Sequence, residues 1–345
     1  MARLSKRVGV VLFQLGGPDS RAALEPFLVN LFSDPDIIDL PLSRIGRRAL
    51  AKLIARARAR KAGPHYAAIG GHSPIRVLTE RQAAALEERL KSDGLEARCV
   101  VAMRYWHPFV DEAITQLQTV DVDQLVLLPL YPQYSSTTTG SSLNDWNRHW
   151  TGTTPTVRVE AFYRDSLYID ALVERIDEAL ALFPCRENVE LIFSAHGVPL
   201  SVIEKGDPYQ QQIEETTALV MERGAWPNHH CLCYQSKVGT SRWLQPSLRS
   251  TLRSIAAQGV EDVCVVPISF VSDHVETLGE INHCARQEAL SLGIKRFAMT
   301  EGLNDSPKFI DALRRQVLAA IGETSLIDEE EAGEREPATL QMAAD

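Results

Sequence analysis

Short apolar runs rich in β-branched residues, at 8–13, 99–103, 125–130, 189–193, 231–234 and 263–268, alternate with longer stretches whose apolar positions recur every three or four residues. The short runs lack polar alternation, as strands buried on both faces do. The periodic stretches 79–90, 110–117, 168–182, 209–223 and 243–257, with a further helix around Val29 and Leu31, are amphipathic and supply covering layers. The alternation predicts an α/β fold of parallel sheets flanked by helices.

The pattern also repeats. Val8-Gly-Val-Val-Leu-Phe-Gln-Leu-Gly-Gly-Pro18 and Val189-Glu-Leu-Ile-Phe-Ser-Ala-His-Gly-Val-Pro199 each run from a strand through glycine to proline. The runs at 125–132 and 263–270 each lead into a polar stretch, 133–142 and 272–280. Two similar doubly wound halves follow, 1–165 and 166–321, with 322–345 beyond them. In such sheets ligands gather past the carboxyl ends of the strands.

Composition narrows the picture. With 345 residues, 45% of them hydrophobic and 23% charged, the chain can bury full cores and matches no disordered or collagen-like class. The longest apolar runs fall far short of the ~20 residues that span a bilayer, and residues 1–7 lack the apolar core of a secretory signal. A cytoplasmic chain is the expectation, with Cys99, Cys185, Cys231, Cys233, Cys264 and Cys284 read as reduced thiols. The net charge of −9 is uneven: residues 323–345 carry eight acidic groups and one arginine, a solvated, disordered extension by composition. Residues 41–61 hold eight Lys or Arg and no acid, with Leu42, Ile45, Leu50, Leu53 and Ile54 at near-helical spacing. That helix is open to an anionic lipid surface, to an anionic ligand, or to plain solvation. No nucleic-acid motif accompanies it, so nucleic acid is not an expected partner.

Two strand ends carry the strongest candidate chemistry. His196, in Ser194-Ala-His-Gly-Val-Pro199, follows a buried strand and could serve as a base, a metal ligand or a structural residue. After the run at 263–268, Asp273 as N-cap with Glu276 three residues on would form a capping box. Helical spacing then places Glu276, Glu280, His283 and Cys284 on one face, a stripe able to carry protons or a divalent cation, or merely to face solvent. Gln14-Leu-Gly-Gly-Pro18 matches no phosphate loop. His229-His-Cys-Leu-Cys233 lacks zinc spacing and reads as strand cysteines. The hydroxyl-rich 135–142 suits a helix cap better than an anion site.

Together with Gly206-Asp-Pro-Tyr209, Tyr234-Gln-Ser-Lys-Val-Gly239, Ser272-Asp-His-Val-Glu-Thr-Leu278, Ile69-Gly-Gly-His-Ser-Pro-Ile75, Arg104-Tyr-Trp-His-Pro108 and Leu130-Tyr-Pro-Gln-Tyr134, these motifs resemble the ferrochelatases over about residues 7–320. The resemblance implies a chelatase-like fold of two Rossmann-like halves and insertion of Fe(II) into a porphyrin as the last step toward haem. It assigns His196, Glu276 and Glu280 to catalysis, with His196 and Glu276 closest to the metal. Asp273 and His274 fall on the same acidic helix. Leu15, Arg58, Tyr66, Ser73, Arg104, Tyr105, Gln235 and Trp243 become substrate-binding residues, and 41–61 a cationic lip with peripheral membrane contact at the inner face.

The residue types suit the chemistry. Metallation removes two pyrrole protons and dehydrates a divalent cation, which calls for a neutral base and nearby carboxylates. Imidazole and carboxylate bind Fe(II) without the retention of a soft thiolate cage. Ser136 stands where cluster-bearing relatives place cysteine, and no cysteine follows Cys284, so no iron–sulfur cluster or other cofactor is expected; iron is a substrate. Leu15, where the coproporphyrin branch tends to carry tyrosine, favours protoporphyrin IX. Tyr234 departs from the tryptophan of many relatives. Coproporphyrin, a cobalt or nickel tetrapyrrole chelatase, and a non-catalytic porphyrin carrier are the alternatives.

Overall fold

The computed structural model describes residues 6–37, 43–235 and 242–323, and the backbone but not the side chain of Arg44. In the first half, β1 (Arg7–Gln14), β2 (Glu96–Met103), β3 (Gln124–Pro129) and β4 (Thr156–Arg158) form a parallel sheet in the order β2-β1-β3-β4. In the second, β5 (Glu190–His196), β6 (His230–Gln235), β7 (Asp262–Val266) and β8 (Arg296–Met299) repeat that order as β6-β5-β7-β8. The central strands are continuously apolar and buried, as strands covered on both faces must be. The edge strands β4 and β8 have no counterpart in the apolar pattern, because they are short and partly exposed.

The covering helices of the first half are α1 (Leu24–Ser33), α2 (Arg44–Ala68), α3 (Ile75–Ser92), α4 (Val110–Leu117) and α5 (Ser141–His149). The second half adds α6 (Ser166–Leu180), α7 (Leu200–Glu204), α8 (Tyr209–Gly224), α9 (Leu248–Ala257), α10 (Arg286–Ser291) and α11 (Pro307–Ile321). The helix expected from residue 243 starts only at α9, where Ser247 Oγ accepts from Ser250 N at 3.1 Å. Pro246 blocks an earlier start, and Trp243 instead bridges back to Pro199. After β3 and again after β7 the chain enters a π-helix, Ser136–Gly140 and Val275–Ala285.

The halves do not separate cleanly. One apolar cluster joins Val10, Leu12 and Leu128 to Leu191, Phe193 and Cys264. α11 lies against α3 of the first half, where Arg314 pairs with Asp93 at 2.6 Å and Arg89 with Asp311 at 2.7 Å. All six cysteines are free thiols, with Cys99, Cys233 and Cys264 buried. Most of the acidic extension, 324–345, and the start of the basic segment at Pro41 and Leu42 lie outside the described residues.

Candidate active site

His196 ends β5, and its backbone is held from both sides: its N–H donates to Ser269 Oγ at 2.9 Å, and its carbonyl accepts from Tyr209 Oη at 2.9 Å. Gly197 then donates to the Gln235 carbonyl at 2.8 Å, an approach so close that a Cβ there would meet that oxygen at 2.9 Å. Across from β5 the second π-helix begins, but not with the expected capping box. His274 N donates to Thr277 Oγ1 at 3.0 Å, while Asp273 accepts from Asn304 Nδ2 at 2.9 Å and from Gly302 N at 3.1 Å. Asp273 is thereby a structural anchor, and Glu276 is left for other work.

That work is a pair with His196, whose Nδ1 donates to Glu276 Oε2 at 2.8 Å. Burial pushes the imidazole down and the adjacent Glu276 charge pushes it up; the second wins, so His196 holds its proton more tightly than a free histidine. Glu276 is raised by burial but lowered further by His196, His274 and the Gln235 amide, and remains a carboxylate. His274, with Nδ1–H donating to the Ser272 carbonyl at 3.0 Å, is kept neutral chiefly by burial. Phe270 sets its ring edge to face against both imidazoles, 6.2 Å from His196 and 4.6 Å from His274. Ser269, Phe270 and Tyr209 carry no chemistry of their own in the sequence. Their only signal is position, directly after an apolar run or inside the Gly-Asp-Pro-Tyr motif.

The π-helix revises the stripe. With i→i+5 hydrogen bonding the turn is wider than in an α-helix, and His283, expected beside the carboxylates, is exposed and meets Gln287 at 3.4 Å instead. Glu280 and Cys284 stay together as walls of a cavity of about 230 Å³, facing Gly197, Gln235 and Trp243. Among the described residues Tyr234 Oη and Trp243 Nε1 have no hydrogen-bond partner, while Gln235 Oε1 accepts from Ser194 at 3.0 Å and its amide faces Glu276.

The first half supplies the opposite side. α2 seats on the π-helix at Gly279, whose absent side chain leaves room for the His65 backbone; a Cβ would stand 3.3 Å from that carbonyl. Next to it Tyr66 is buried and shares an apolar cluster with Val275, Leu15 and Tyr105 under α1 and α2. Burial, then the charges of Glu276 and Glu280, push its phenol far above the usual tyrosine range. Tyr66 thus faces the carboxylate pair.

The other residues expected to bind substrate lie elsewhere in the first half. Arg104 pairs with buried Asp34 at 2.9 Å and donates to Ser141 at 2.8 Å, and Tyr105 Oη donates to the same Asp34 oxygen at 2.6 Å. Ser73 is buried against Gly17, where a Cβ would lie 2.7 Å from its side chain. Arg58 is half-buried and, among the described residues, has no carboxylate partner. Ser135 caps the first π-helix, and both Ser135 and Ser136 donate to Asp207, so the hydroxyl-rich stretch ties the halves together. Among the described residues no three His, Cys, Asp or Glu side chains form a metal cage.

The ferrochelatase family model matches residues 7–321. A ferrochelatase of Trichormus variabilis is 46% identical over 325 residues, covering 92% of this chain and 84% of the relative. One of Gloeobacter violaceus is 42% identical over 322 residues, covering 91% and 98%. Among solved structures, SirB from Bacillus subtilis with Fe3+ aligns over 93% of this chain and 98% of its own, with a TM-score of 0.53 at 11% identity, a likeness of fold alone. By its family match and the extent of its identity to these relatives, the chain belongs to the ferrochelatase family.

Proposed function

We propose that this chain is a lyase that inserts ferrous iron into protoporphyrin IX and forms haem. The observation that carries the reading is the His196–Glu276 pair, 2.8 Å apart at a strand end and beside a cavity walled by Gly197, Gln235, Trp243 and Glu280. Metallation exchanges two pyrrole N–H protons for one divalent cation. A cation approaching Glu276 competes with the imidazolium for that carboxylate, so His196 releases its proton and becomes the neutral base the ring requires. Glu280, next along the stripe, then takes the protons outward. Leu15 keeps the β1 end apolar, which suits the vinyl edge of protoporphyrin. The exposed Ile45 and Leu53, 85% and 70% accessible, together with the cations of α2, support peripheral contact with the inner face of the cytoplasmic membrane. Among the described residues no helix is long and apolar enough to cross a membrane.

The test is anaerobic incubation of wild type and His196→Ala with Fe(II) and either protoporphyrin IX or coproporphyrin III, following loss of the free-porphyrin spectrum. Rapid loss with protoporphyrin in wild type, slowed at least ~100-fold in the variant, is the expected result. Faster metallation of coproporphyrin would reassign the substrate, and binding of porphyrin with no metallation by either protein would leave a carrier.

A further inference from the structure

Nothing in the catalytic reading uses the acidic segment beyond Glu323, which lies outside the matched family region. Nor does that reading use most of the charge on α2. Arg48, Lys52, Arg56 and Arg60 recur every fourth residue and are exposed, which aligns them along one ridge of the helix. Arg56 meets Glu25 at 3.1 Å, but among the described residues Arg48, Lys52, Arg58, Arg60 and Lys61 face no carboxylate. Elsewhere most surface cations are matched, as Arg89, Arg148, Arg164, Arg223, Arg249 and Arg296 each meet an acid, and the exceptions Arg21, Arg81 and Arg158 stand singly on separate segments. The unbalanced positive charge of the folded surface is concentrated on this helix.

We infer that residues 324–345 of the same chain are the occupant of the cationic ridge of α2. The segment holds seven acidic groups and one arginine, opposite in sign to the ridge and close in number to its unmatched cations. It leaves the fold at the end of α11, where the Ile321 carbonyl accepts from Lys6 and Arg314 holds Asp93 at the end of α3. α3 runs from there, about 27 Å at 1.5 Å per residue, to Ile75, six residues past the C-cap of α2. Glu331 and Asp345 stand 8 and 22 residues beyond Glu323, with reaches of about 28 and 75 Å. Glu334, Glu336 and Asp345, further along the chain, reach past that span and can arrive at α2, whereas the Glu331 reach only equals it. Covalent attachment gives the segment an effective concentration in the ~mM range, favouring it over a free polyanion. An occupied ridge would withhold these cations from lipid.

Carbodiimide coupling of the full chain at low salt tests the contact, since it joins only amines and carboxylates that touch. The expected products link Lys52 or Lys61 to carboxylates in 334–345; they vanish in high salt and in an Arg48→Glu/Arg60→Glu variant that keeps both lysines. Links that persist in the variant, or links only to lysines elsewhere, would overturn the inference. A second measurement uses the full chain with Glu329, Glu330, Glu331, Glu334 and Glu336 changed to Gln. Vesicles containing phosphatidylglycerol should bind it more tightly than wild type, about fivefold for each cation released at ~1 kcal/mol per basic residue. Equal binding of both chains would give the ridge to lipid instead.

Discussion

His196 and Glu276 sit one hydrogen bond apart, and the sign of their coupling makes a testable statement about rate. His196 holds its proton above the ordinary histidine value of 6.5, so its basic form grows only as pH climbs through that raised value, and porphyrin metallation should rise along the same limb. In Glu276→Gln the main raising charge is gone, and burial, which lowers His196, is opposed only by the smaller lift from Glu280. The limb should then move to lower pH, whatever the loss in absolute rate. A pH profile of kcat/KM for both proteins checks this, and an unmoved limb would mean that His196 is not the titrating base. The same pair has consequences for stability. His196 contributes below its unfolded value and loses that contribution as pH rises through the raised one; Glu276 contributes above about 4.5 and loses it as acid protonates the carboxylate. Both residues were legible in the sequence because each follows a strand. Their supports were not: Ser269, Phe270 and Tyr209 act through backbone and ring contacts that residue type does not announce.

At the scale of elements, the sequence spacing was right about which carboxylates share a face and wrong about His283, because apolar periodicity does not distinguish an α-helix from a π-helix. Thr277 takes the capping position that the spacing had given to Glu276, and only the fold, by drawing Asp273 to Asn304, decides between them. The strands β4 and β8 escaped for a different reason, being edge segments too short to show a pattern. Gly279 is where two elements depend on one missing methyl. Gly279→Ala gains up to ~1 kcal/mol of helix propensity, yet its Cβ would press on the His65 carbonyl at 3.3 Å and on its Cβ at 3.4 Å. The two effects should leave the urea midpoint nearly unchanged while shifting α2, and with it Tyr66, away from Glu276 and Glu280. Metallation should fall several-fold with KM rising; unchanged kinetics would show that α2 does not need this seat. Gly17→Ala differs, because its Cβ would lie 2.7 Å from both Cβ and Oγ of Ser73. Neither element can yield there, and the expected loss is about 1–3 kcal/mol in urea unfolding.

For the whole molecule, the repeated strand pattern predicts two similar doubly wound halves, and the sheets do repeat strand for strand. What the repetition does not reveal is that α11, at the end of the second half, closes onto α3 of the first, with one apolar core continuing through both sheets. Sequence periodicity assigns a buried face to each helix but not the neighbour that covers it. Unfolding should accordingly be a single transition, with fluorescence and far-UV dichroism coinciding across the urea range. Arg314→Ala examines the joint directly. Its guanidinium and the Asp93 carboxylate are 9% and 12% exposed and meet through two hydrogen bonds, so removing the cation strands a largely buried charge, at a cost of about 3 kcal/mol. Arg223→Ala breaks a pair of similar geometry with Asp170, but 59% and 23% exposed, and should leave the midpoint where it was. If Arg314→Ala splits the transition in two, the halves are independent units joined by that contact. If it shifts one transition intact, the shared core holds them together and the ion pair adds to it.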